Sequence, residues 1–401
     1  MAEIKRYEDG KKKRAEKENQ LERSEREYKR HKRLRFIRIM SLPILLGALA
    51  IGFIIYYNKK DFIGYDTVNT AEREMIDGAQ NVKLGNSVLT YSKDGAHCVD
   101  MKGVTTWNQS FEIQDIKLAT CRDMSAICGY NGHQIYVQSA SQQLGEIQTN
   151  LPIKDITVAA TGRVTAVLED SNAMWINTYE PDGKAVYEGQ FHMVQSGYPC
   201  AVSISPSGNF LAVSFLFLDE GNISSYVAFY NYGPVGDNQS DQLVGSQIYH
   251  DMVIPEIHFM DDSSAFAVGD NRLMFFKCEQ KAESRAEYIL DKEIKAVYYS
   301  PKYVGVVFAS DKTDAKYMLQ IYNATGEQVA VKYFDMEYLG IFFEDKTYAM
   351  YNGSECAIYD MSGTSRYEGR FDKNVTLMLP TETPYRYRIV TDTSIDTIQL
   401  K

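Results

Sequence analysis

The sequence is poor in the residues that build metal centres, disulfide frameworks and common catalytic motifs. Its 401 residues include six histidines and six cysteines, and none of them shows HExxH or the paired Cys/His spacing of a zinc site. GxSxG, P-loop and glycine-rich dinucleotide motifs are missing too, and the carboxylates form no paired acid/base signature. These absences predict no catalytic residue, no metal and no cofactor, and they favour a protein that is not an enzyme.

The six cysteines are widely spaced and most fall in predicted strands, which is typical of small buried hydrophobic residues rather than of a disulfide framework. Cys121 and Cys128 leave an alternative open, because they are close enough in sequence to face each other across a hairpin. His250 and His258 can in principle meet at one end of a sheet, but the sequence favours ordinary structural positions for both.

Only one long stretch of the chain carries no charge. Residues 39–57 read IMSLPILLGALAIGFIIYY, and nineteen residues in a helix span about 28 Å, close to the thickness of the bilayer core. We therefore predict one transmembrane helix within residues 36–58. A cleaved signal peptide is the rival interpretation, but the preceding basic region is too long and Tyr56-Tyr57-Asn58 offers no small-residue cleavage site.

Charge is distributed unequally on the two sides of this helix. Residues 1–35 carry fourteen Lys and Arg against eight Asp and Glu, and Arg38 adds a further cation. The positive-inside rule then predicts that this tail, read as a solvated helix, is cytoplasmic and that residues 59–401 lie outside the cell membrane. Those later residues carry 28 basic and 45 acidic side chains, and both this charge and the compartment disfavour nucleic acid as a partner.

A repeat runs through the long acidic region. Four segments place an aromatic or aliphatic residue four positions before a glycine and a phenylalanine eight positions after it. The glycines supply the positive φ of a tight turn between two strands, so each segment predicts a β-hairpin. The four segments are VDMKGVTTWNQSF around Gly103, YEPDGKAVYEGQF around Gly183, YNATGEQVAVKYF around Gly326 and YDMSGTSRYEGRF around Gly363.

The hairpins belong to larger units about 40 residues long. Comparable strand starts fall near Val82, Ile116, Ile156, Val202, Ile257, Ile294, Leu339 and Val375. Four short strands and their turns consume this length in a propeller blade. The last unit supplies three strands before Lys401, and a strand near Ile63–Val68 would complete it. We predict an all-β propeller of about eight four-stranded blades, with seven as the alternative; a pair of β-sandwiches or a helical solenoid would not produce the glycine-to-phenylalanine spacing.

The repeated units resemble WD40-like and quinoprotein-type propeller repeats. Together with the basic tail and single anchor, they resemble a family of Gram-positive bacterial membrane proteins of unknown function that have a WD40-like ectodomain. The resemblance implies a fold and no activity. The blades lack the regular Trp-Asp ending of WD40 repeats, and only Trp107 occupies the docking-tryptophan position of quinoprotein repeats, so no quinone is expected.

Two loops enlarge the fourth unit beyond what the repeat requires. They comprise Leu218–Asn222 and residues 232–241, and rigid blades commonly carry recognition on such loops. The candidate partner-contact residues are Asp219, Glu220, Asn222, Asp237 and Asp241, although a tolerated insertion would look the same.

The sequence therefore supports three functional hypotheses. The first is a membrane-anchored extracytoplasmic scaffold that binds an envelope protein or wall polymer. The second is a sensor that binds a ligand or cell-wall fragment in the central channel and signals through the membrane helix to the tail. The third is a propeller enzyme such as a lyase or hydrolase. The sequence does not specify the oligomeric state.

Overall fold

A computed structural model of the chain describes residues 61–73, 76, 78–171 and 173–401, together with five isolated positions before them, Arg23, Lys32, Ser41, Pro43 and Gly47. The chain divides into two compact units, Met1–Asp61 and Phe62–Lys401. Within the described residues, no helix combines the length and the apolar composition needed to cross a membrane. The predicted tail helix and most of the predicted span at 36–58 lie outside the described residues.

The second unit is built from thirty-two strands that form eight four-stranded antiparallel sheets. This confirms the all-β propeller and decides for eight blades over seven. The strands of blades 1 to 4 are β2 (Gln80–Leu84), β3 (Ser87–Ser92), β4 (Gly95–Val99), β5 (Thr105–Ser110); β6 (Ile116–Cys121), β7 (Met124–Gly129), β8 (Gln134–Ser139), β9 (Gln143–Gln148); β10 (Ile153–Val158), β11 (Val164–Glu169), β12 (Met174–Tyr179), β13 (Ala185–Phe191); and β14 (Tyr198–Ile204), β15 (Phe210–Asp219), β16 (Asn222–Asn231), β17 (Leu243–Tyr249).

Blades 5 to 7 continue the same pattern, and the last blade closes the ring. Their strands are β18 (Glu256–Phe259), β19 (Ser264–Val268), β20 (Arg272–Cys278), β21 (Ala282–Ile289); β22 (Ile294–Tyr299), β23 (Tyr303–Ala309), β24 (Tyr317–Asn323), β25 (Gln328–Phe334); β26 (Gly340–Phe343), β27 (Thr347–Tyr351), β28 (Glu355–Asp360), β29 (Ser365–Arg370); and β30 (Leu377–Pro380), β31 (Arg386–Val390), β32 (Ser394–Leu400) with β1 (Tyr65–Glu72). One short helix, α1 (Met193–Ser196), and two 3₁₀ turns, Gly236–Asn238 and Ser240–Gln242, interrupt the strands.

Each blade consists of an innermost strand a followed outward by strands b, c and d. The middle strands are covered by a neighbouring blade on both faces, which is why they read as nearly continuous apolar runs such as FLAVSF in β15 and YVGVVF in β23. The outermost strands alternate between covered and exposed residues, as in β21, AESRAEYI. Strands a line the central channel.

The last blade takes its outermost strand from the beginning of the unit. Strand β1 pairs antiparallel with β32, from Tyr65 opposite Leu400 to Glu72 opposite Ser394. The expectation of a closing strand is confirmed, although it runs from Tyr65 to Glu72 rather than ending at Val68. Because β1 covers the free edge of β32, the ring closes without an unpaired strand at the junction.

The four repeated glycines occupy the turns between strands c and d that the sequence predicts. Their φ angles lie between 82° and 87°, the left-handed region in which glycine is favoured. In three of these turns the side chain three positions earlier accepts backbone N–H groups: Asp100 from Val104 at 2.9 Å, Asn323 from Glu327 at 2.9 Å and Asp360 from Thr364 at 3.0 Å. One local interaction thus recurs around the ring.

The core consists of separate apolar layers between adjacent blades. The layer between blades 4 and 5, for example, contains Phe229, whose ring centroid lies 5.0 Å from that of Phe276. The repeated phenylalanines join such layers, with Phe334 and Phe371 both buried at the ends of their blades. Trp107 in β5 donates its indole N–H to the carbonyl of Ser139 in the next blade at 2.7 Å, a contact that fits its predicted docking position.

Candidate functional sites on the ring

Strand order defines two faces of the ring. The a–b and c–d turns lie on one face, and the b–c turns and the d–a connections lie on the other. The chain enters the ring on the first of these, because β1 is a d strand that begins at Tyr65 beside the end of β32. We call the face with the a–b and c–d turns the entry face and the opposite one the far face.

The predicted contact residues are divided between these two faces. Asp219, Glu220 and Asn222 form the b–c turn of blade 4 on the far face, whereas Asp237 and Asp241 belong to its c–d insertion on the entry face. Strand β16 separates the two sets, and its ten residues span roughly 30 Å. The structure therefore brings the first three residues together and places the other two at the opposite end of the blade.

The far-face loop is a regular projecting hairpin rather than an irregular insertion. Strand β14 begins opposite Leu216 and β17 ends opposite Ser225, so residues 217–224, here called the finger, extend beyond both neighbouring strands. Glu220 and Gly221 form its tip with φ angles of 49° and 92°, as a two-residue hairpin turn requires. The finger is consequently an ordered two-stranded projection.

Two apolar side chains dominate the finger. Leu218 and Ile223 are directly opposite each other across the hairpin, and they are 75% and 50% exposed. His250 Nδ1 lies 2.8 Å from Asp219 Oδ2 and links the finger to the connection that follows blade 4. The polar residues of this loop are the predicted contact residues, and the apolar pair is not among them. The alternation of FLAVSFLFLD in β15 is the sequence signal that indicates this pair once the strand is extended to Asp219.

Several exposed apolar side chains lie on the far face near the finger. Besides the apolar pair, Tyr198 at the start of β14, Ile248 near the end of β17 and Ile289 at the end of β21 are all exposed there. Tyr130, in the b–c turn of blade 2, is exposed as well and lies 5.0 Å from Lys154 Nζ in a cation–π contact. Clusters of this kind on a folded surface mark contact sites for other molecules.

The entry-face insertion of blade 4 is held by its own hydrogen bonds. The Asn231 side chain accepts the N–H of Gly233 at 2.7 Å, and the Asn238 side chain donates to the carbonyl of Pro234 at 2.8 Å. Thr178 of blade 3 donates to the buried hydroxyl of Tyr232 at 3.2 Å. The insertion is thus a structured cap over the blade 3–4 junction.

The central channel carries charges of both signs. Lys117 Nζ lies 3.6 Å from Asp155 Oδ1, and burial raises the pKa of the Asp155 carboxyl while Lys117 opposes the rise. Burial also raises the pKa of Glu344 in the a–b turn of blade 7, which accepts hydrogen bonds from the hydroxyls of Thr347 at 2.8 Å and Tyr387 at 3.0 Å. These groups are partnered, so they read as structural contacts rather than as a catalytic pair.

A cavity of about 180 Å³ lies at the entry-face mouth of the channel. Its walls come from the ends of the innermost strands of blades 2 to 6. They include Thr120, Cys121, Thr157, Ser203, His258 and Tyr299. Tyr299 stacks on His258 with ring centroids 4.6 Å apart. No sequence signal indicates this cavity, because its walls come from five blades and meet only when the ring forms.

The cysteine and histidine alternatives have separate outcomes. Cys121 lies opposite Met124 and Cys128 opposite Lys117, so the two cysteines do not face each other. All six thiols are free. The alternative disulfide between Cys121 and Cys128 is therefore wrong, because the two-residue turn at Arg122 sets a different register. His250 lies on the far face and His258 at the channel. In the described part of the chain no group of three or more His, Cys, Asp or Glu side chains is arranged to hold a metal.

Fold and surface thus define an eight-bladed β-propeller with a projecting finger on one face and a small channel cavity at the other. The model of a family of unknown function, DUF5711, matches residues 58–400. The chain belongs to this family.

Comparison with solved structures adds likenesses of fold. BamB from Moraxella catarrhalis is 12% identical over 84% of this chain and 98% of its own, with a TM-score of 0.47. Sqt1 from Chaetomium thermophilum is 13% identical over 84% of this chain and 100% of its own, with a TM-score of 0.52. Sqt1 from Saccharomyces cerevisiae is 9% identical over 85% and 99%, with a TM-score of 0.50. The two Sqt1 likenesses indicate a shared fold alone. A search of the curated proteins finds no match.

Proposed function

We propose that this protein is a non-enzymatic, membrane-anchored scaffold of a Gram-positive cell envelope, with a cytoplasmic tail, one membrane span and an extracytoplasmic propeller that binds an envelope protein. The observation that carries the proposal is the exposed apolar pair of the finger, Leu218 and Ile223, on the far face. Leu218 and Ile223 lose contact with water only if another molecule covers them, and that gain favours association.

Chain connectivity fixes where the ring begins. The N–H of Phe62 bonds to the carbonyl of Arg366 and that of Ile63 to the carbonyl of Lys401, both at 2.9 Å, so the ring begins at Phe62 on the entry face.

The finger suggests the chemistry of the partner surface. Its apolar pair is flanked by Asp219 and Glu220, and Asp251 follows in the adjoining connection. An apolar groove with basic side chains along its rim would complement both features. A protein partner fits this description better than a wall polymer, since a hydrophilic polymer would leave the apolar pair without suitable contacts.

Site-specific photo-crosslinking in intact cells tests the partner surface. A photoreactive residue at Leu218 should give a discrete protein adduct, whereas the same residue at Val104, an exposed apolar position in a c–d turn of the entry face, should not. Leu218→Asp combined with Ile223→Asp should abolish co-purification of the crosslinked protein while leaving the melting temperature unchanged. Equal adducts from both positions, or co-purification that survives the double substitution, would remove the proposal.

Protease accessibility tests the topology separately. Protease added to spheroplasts should digest the propeller or release it, while a cytosolic control protein stays intact and the tail remains protected. If the propeller is cut only after the membrane is disrupted, the extracytoplasmic location is wrong whatever the crosslinking shows.

The channel cavity favours a second candidate, a sensor that binds a small ligand in the ring and signals through the membrane helix. Its test is the crosslinking of the tail to cytoplasmic proteins with and without bound ligand. An unchanged tail pattern at saturating ligand would rule out signalling.

A further inference from the structure

The cavity at the entry-face mouth of the channel has the properties of a formed binding site. Its walls are the ends of five innermost strands, each fixed by its own sheet, so its shape exists before any ligand arrives. A volume of about 180 Å³ corresponds to about six water molecules. That space accommodates one six-membered ring with its substituents.

Tyr299 provides one flat wall of the cavity. The ring stacks on His258 at an interplanar angle of 23°, and its centroid lies 5.3 Å from that of Phe266 with the two rings inclined at 64°. Even so, 47% of the residue's surface is exposed. The phenol hydroxyl is protonated at neutral pH, because the ordinary pKa of tyrosine is about 10. No partner for that hydroxyl exists among the described residues, and the wall therefore offers an apolar face with one free polar group.

Further hydroxyls line the cavity with unused hydrogen-bonding capacity, among them those of Thr120, Thr157 and Ser203. Ser203 Oγ accepts the N–H of Phe259 at 3.1 Å, and Thr157 Oγ1 accepts the N–H of Ile204 at 3.3 Å. Each of these hydroxyls keeps its own proton without an acceptor in the described part of the chain, and Thr120 has no side-chain partner there at all. Donors of this kind are stabilised by a ligand rich in oxygen acceptors.

Charges at the rim are of mixed sign. The Arg122 guanidinium forms no ion pair within the described ranges, and Asp123 follows it in the same turn. Asp262 of blade 5 accepts the N–H of Ser207 at 2.6 Å. Because one cation lies among carboxylates, the rim attracts neither anionic nor cationic ligands strongly. It favours a neutral ligand that both donates and accepts hydrogen bonds.

We propose that this cavity binds a single neutral hexose-type sugar ring, with its C–H face on Tyr299 and its hydroxyls bonded to Thr120, Thr157 and Ser203. Sugar rings combine an apolar face with a rim of hydroxyls, which is the combination the cavity presents. The ring can come from a soluble glycan or from the headgroup of a glycolipid. The inference deepens the sensor candidate by naming its ligand class, and it does not depend on partner binding by the finger.

Titration calorimetry on the full-length protein tests it, in a detergent without a sugar headgroup. The probes are methyl glucoside and N-acetylglucosamine for the soluble source, and mixed micelles of the same detergent and phosphatidylcholine, with and without glucosyl diacylglycerol, for the lipid source. Binding of either kind supports the proposal and identifies the source. Tyr299→Ala should weaken it by about tenfold or more, whereas Tyr299→Phe, which keeps the ring, should weaken it only about threefold. Tyr130→Ala, at an exposed tyrosine of the far face, should leave it unchanged.

A second measurement does not depend on how Tyr299→Ala folds. Cys121 lines the cavity and Cys200 does not, and both thiols are half-buried. Bound sugar should slow alkylation of Cys121 and leave that of Cys200 unchanged. Thr120 is exposed, so Thr120→Val should not disturb the fold, and it should weaken sugar binding about threefold. The inference is overturned if neither sugar nor glycolipid binds, if binding survives Tyr299→Ala, or if both thiols are protected equally. If sugar binds but the crosslinking pattern of the tail does not change, the binding site is supported and only the sensor function is ruled out.

Discussion

Blades 4 and 7 share one topology and differ in what is added to it. Strands β27 and β28 of blade 7 have five and six residues, and a short glycine turn joins β28 to β29. Strands β15 and β16 of blade 4 have ten residues each, and eleven residues separate β16 from β17. The extra length lies entirely at the two ends of blade 4, beyond the apolar layers that both blades share.

The difference separates two tasks within one blade. The shared centre supplies burial, since Val213 and Phe229 in blade 4 are as fully covered as Tyr348 and Ile358 in blade 7. The additions supply exposed surface that no neighbouring blade covers. We call this shared, buried part of the blades the frame. We expect substitutions in the frame to lower the stability of the fold and substitutions in the additions to weaken binding.

The largest effect should come from removing the closing strand. Deletion of residues 62–72 takes β1 away from β32 and leaves an open strand edge, so we expect loss of the cooperative thermal transition and aggregation. The control shortens an addition instead: removal of Leu218, Asp219, Asn222 and Ile223 takes two residues from each strand of the finger and preserves the side-chain alternation. An unchanged melting curve for the first deletion, measured by circular dichroism, would show that closure contributes nothing.

A matched pair of aromatic truncations compares the frame and the finger inside blade 4. Phe229→Ala leaves a cavity beside Phe276 and Phe259 and should cost about 3–5 kcal/mol of unfolding free energy. Phe217→Ala, in the half-buried base of the finger, should cost about 1 kcal/mol or less. Urea titration measures both. Similar losses at the two positions would mean that the finger is part of the frame.

Two of the repeated glycine turns allow the cost of backbone strain at positive φ to be measured apart from the cost of a steric clash with the neighbouring blade. Gly363→Ala meets open space, so it should cost only the left-handed strain of about 1–2 kcal/mol. Gly326→Ala has the same φ of 83°, but its Cβ would lie 2.7 Å from that of Ala286, and it should cost more. Equal unfolding free energies for the two variants would show that the neighbouring blade moves aside without penalty.

The frame was predictable from the sequence to the extent that it is local and repeated. The turn glycines, the three-stranded last unit and the number of blades all followed from spacing, because each glycine turn needs only its own neighbours. The paired register of Cys121 and Cys128 did not follow, since one two-residue turn decides it. The division of Asp219 from Asp241 between opposite faces was within reach of strand counting. The cavity at Tyr299 was not, because five blades separated along the chain must first assemble.

A smaller effect on stability should accompany the titration of Glu344. Burial holds the pKa of Glu344 above its usual value, so the folded chain keeps this proton over a range in which the unfolded chain has lost it. That stabilisation is present at low pH and is lost as the pH rises through the raised pKa. Glu344→Gln, which keeps the acceptor for Thr347 and Tyr387, should therefore become more stable relative to the parent as the pH rises above the ordinary glutamate pKa of about 4.3.

An exposed carboxylate provides the opposite sign as a control. Hydrogen bonds from Lys316 and Tyr317 lower the pKa of Glu337, so Glu337→Gln should lose stability relative to the parent as the pH rises, and by little because the pair is exposed. Denaturation curves across this pH range measure both variants. Parallel pH profiles for the two would contradict the assignment of the shift at Glu344 to burial.

The smallest effect on stability should come from the finger, where the effects on folding and on binding are expected to separate most clearly. Leu218→Ser with Ile223→Ser replaces two side chains that touch solvent, so the unfolding free energy should stay within about 0.5 kcal/mol of the parent. Partner crosslinking from a photoreactive residue at Ile248, also on the far face of blade 4, should nevertheless fall sharply. A clear loss of stability would mean that the apolar pair serves the fold, and unchanged crosslinking would mean that the partner contacts another part of the ring.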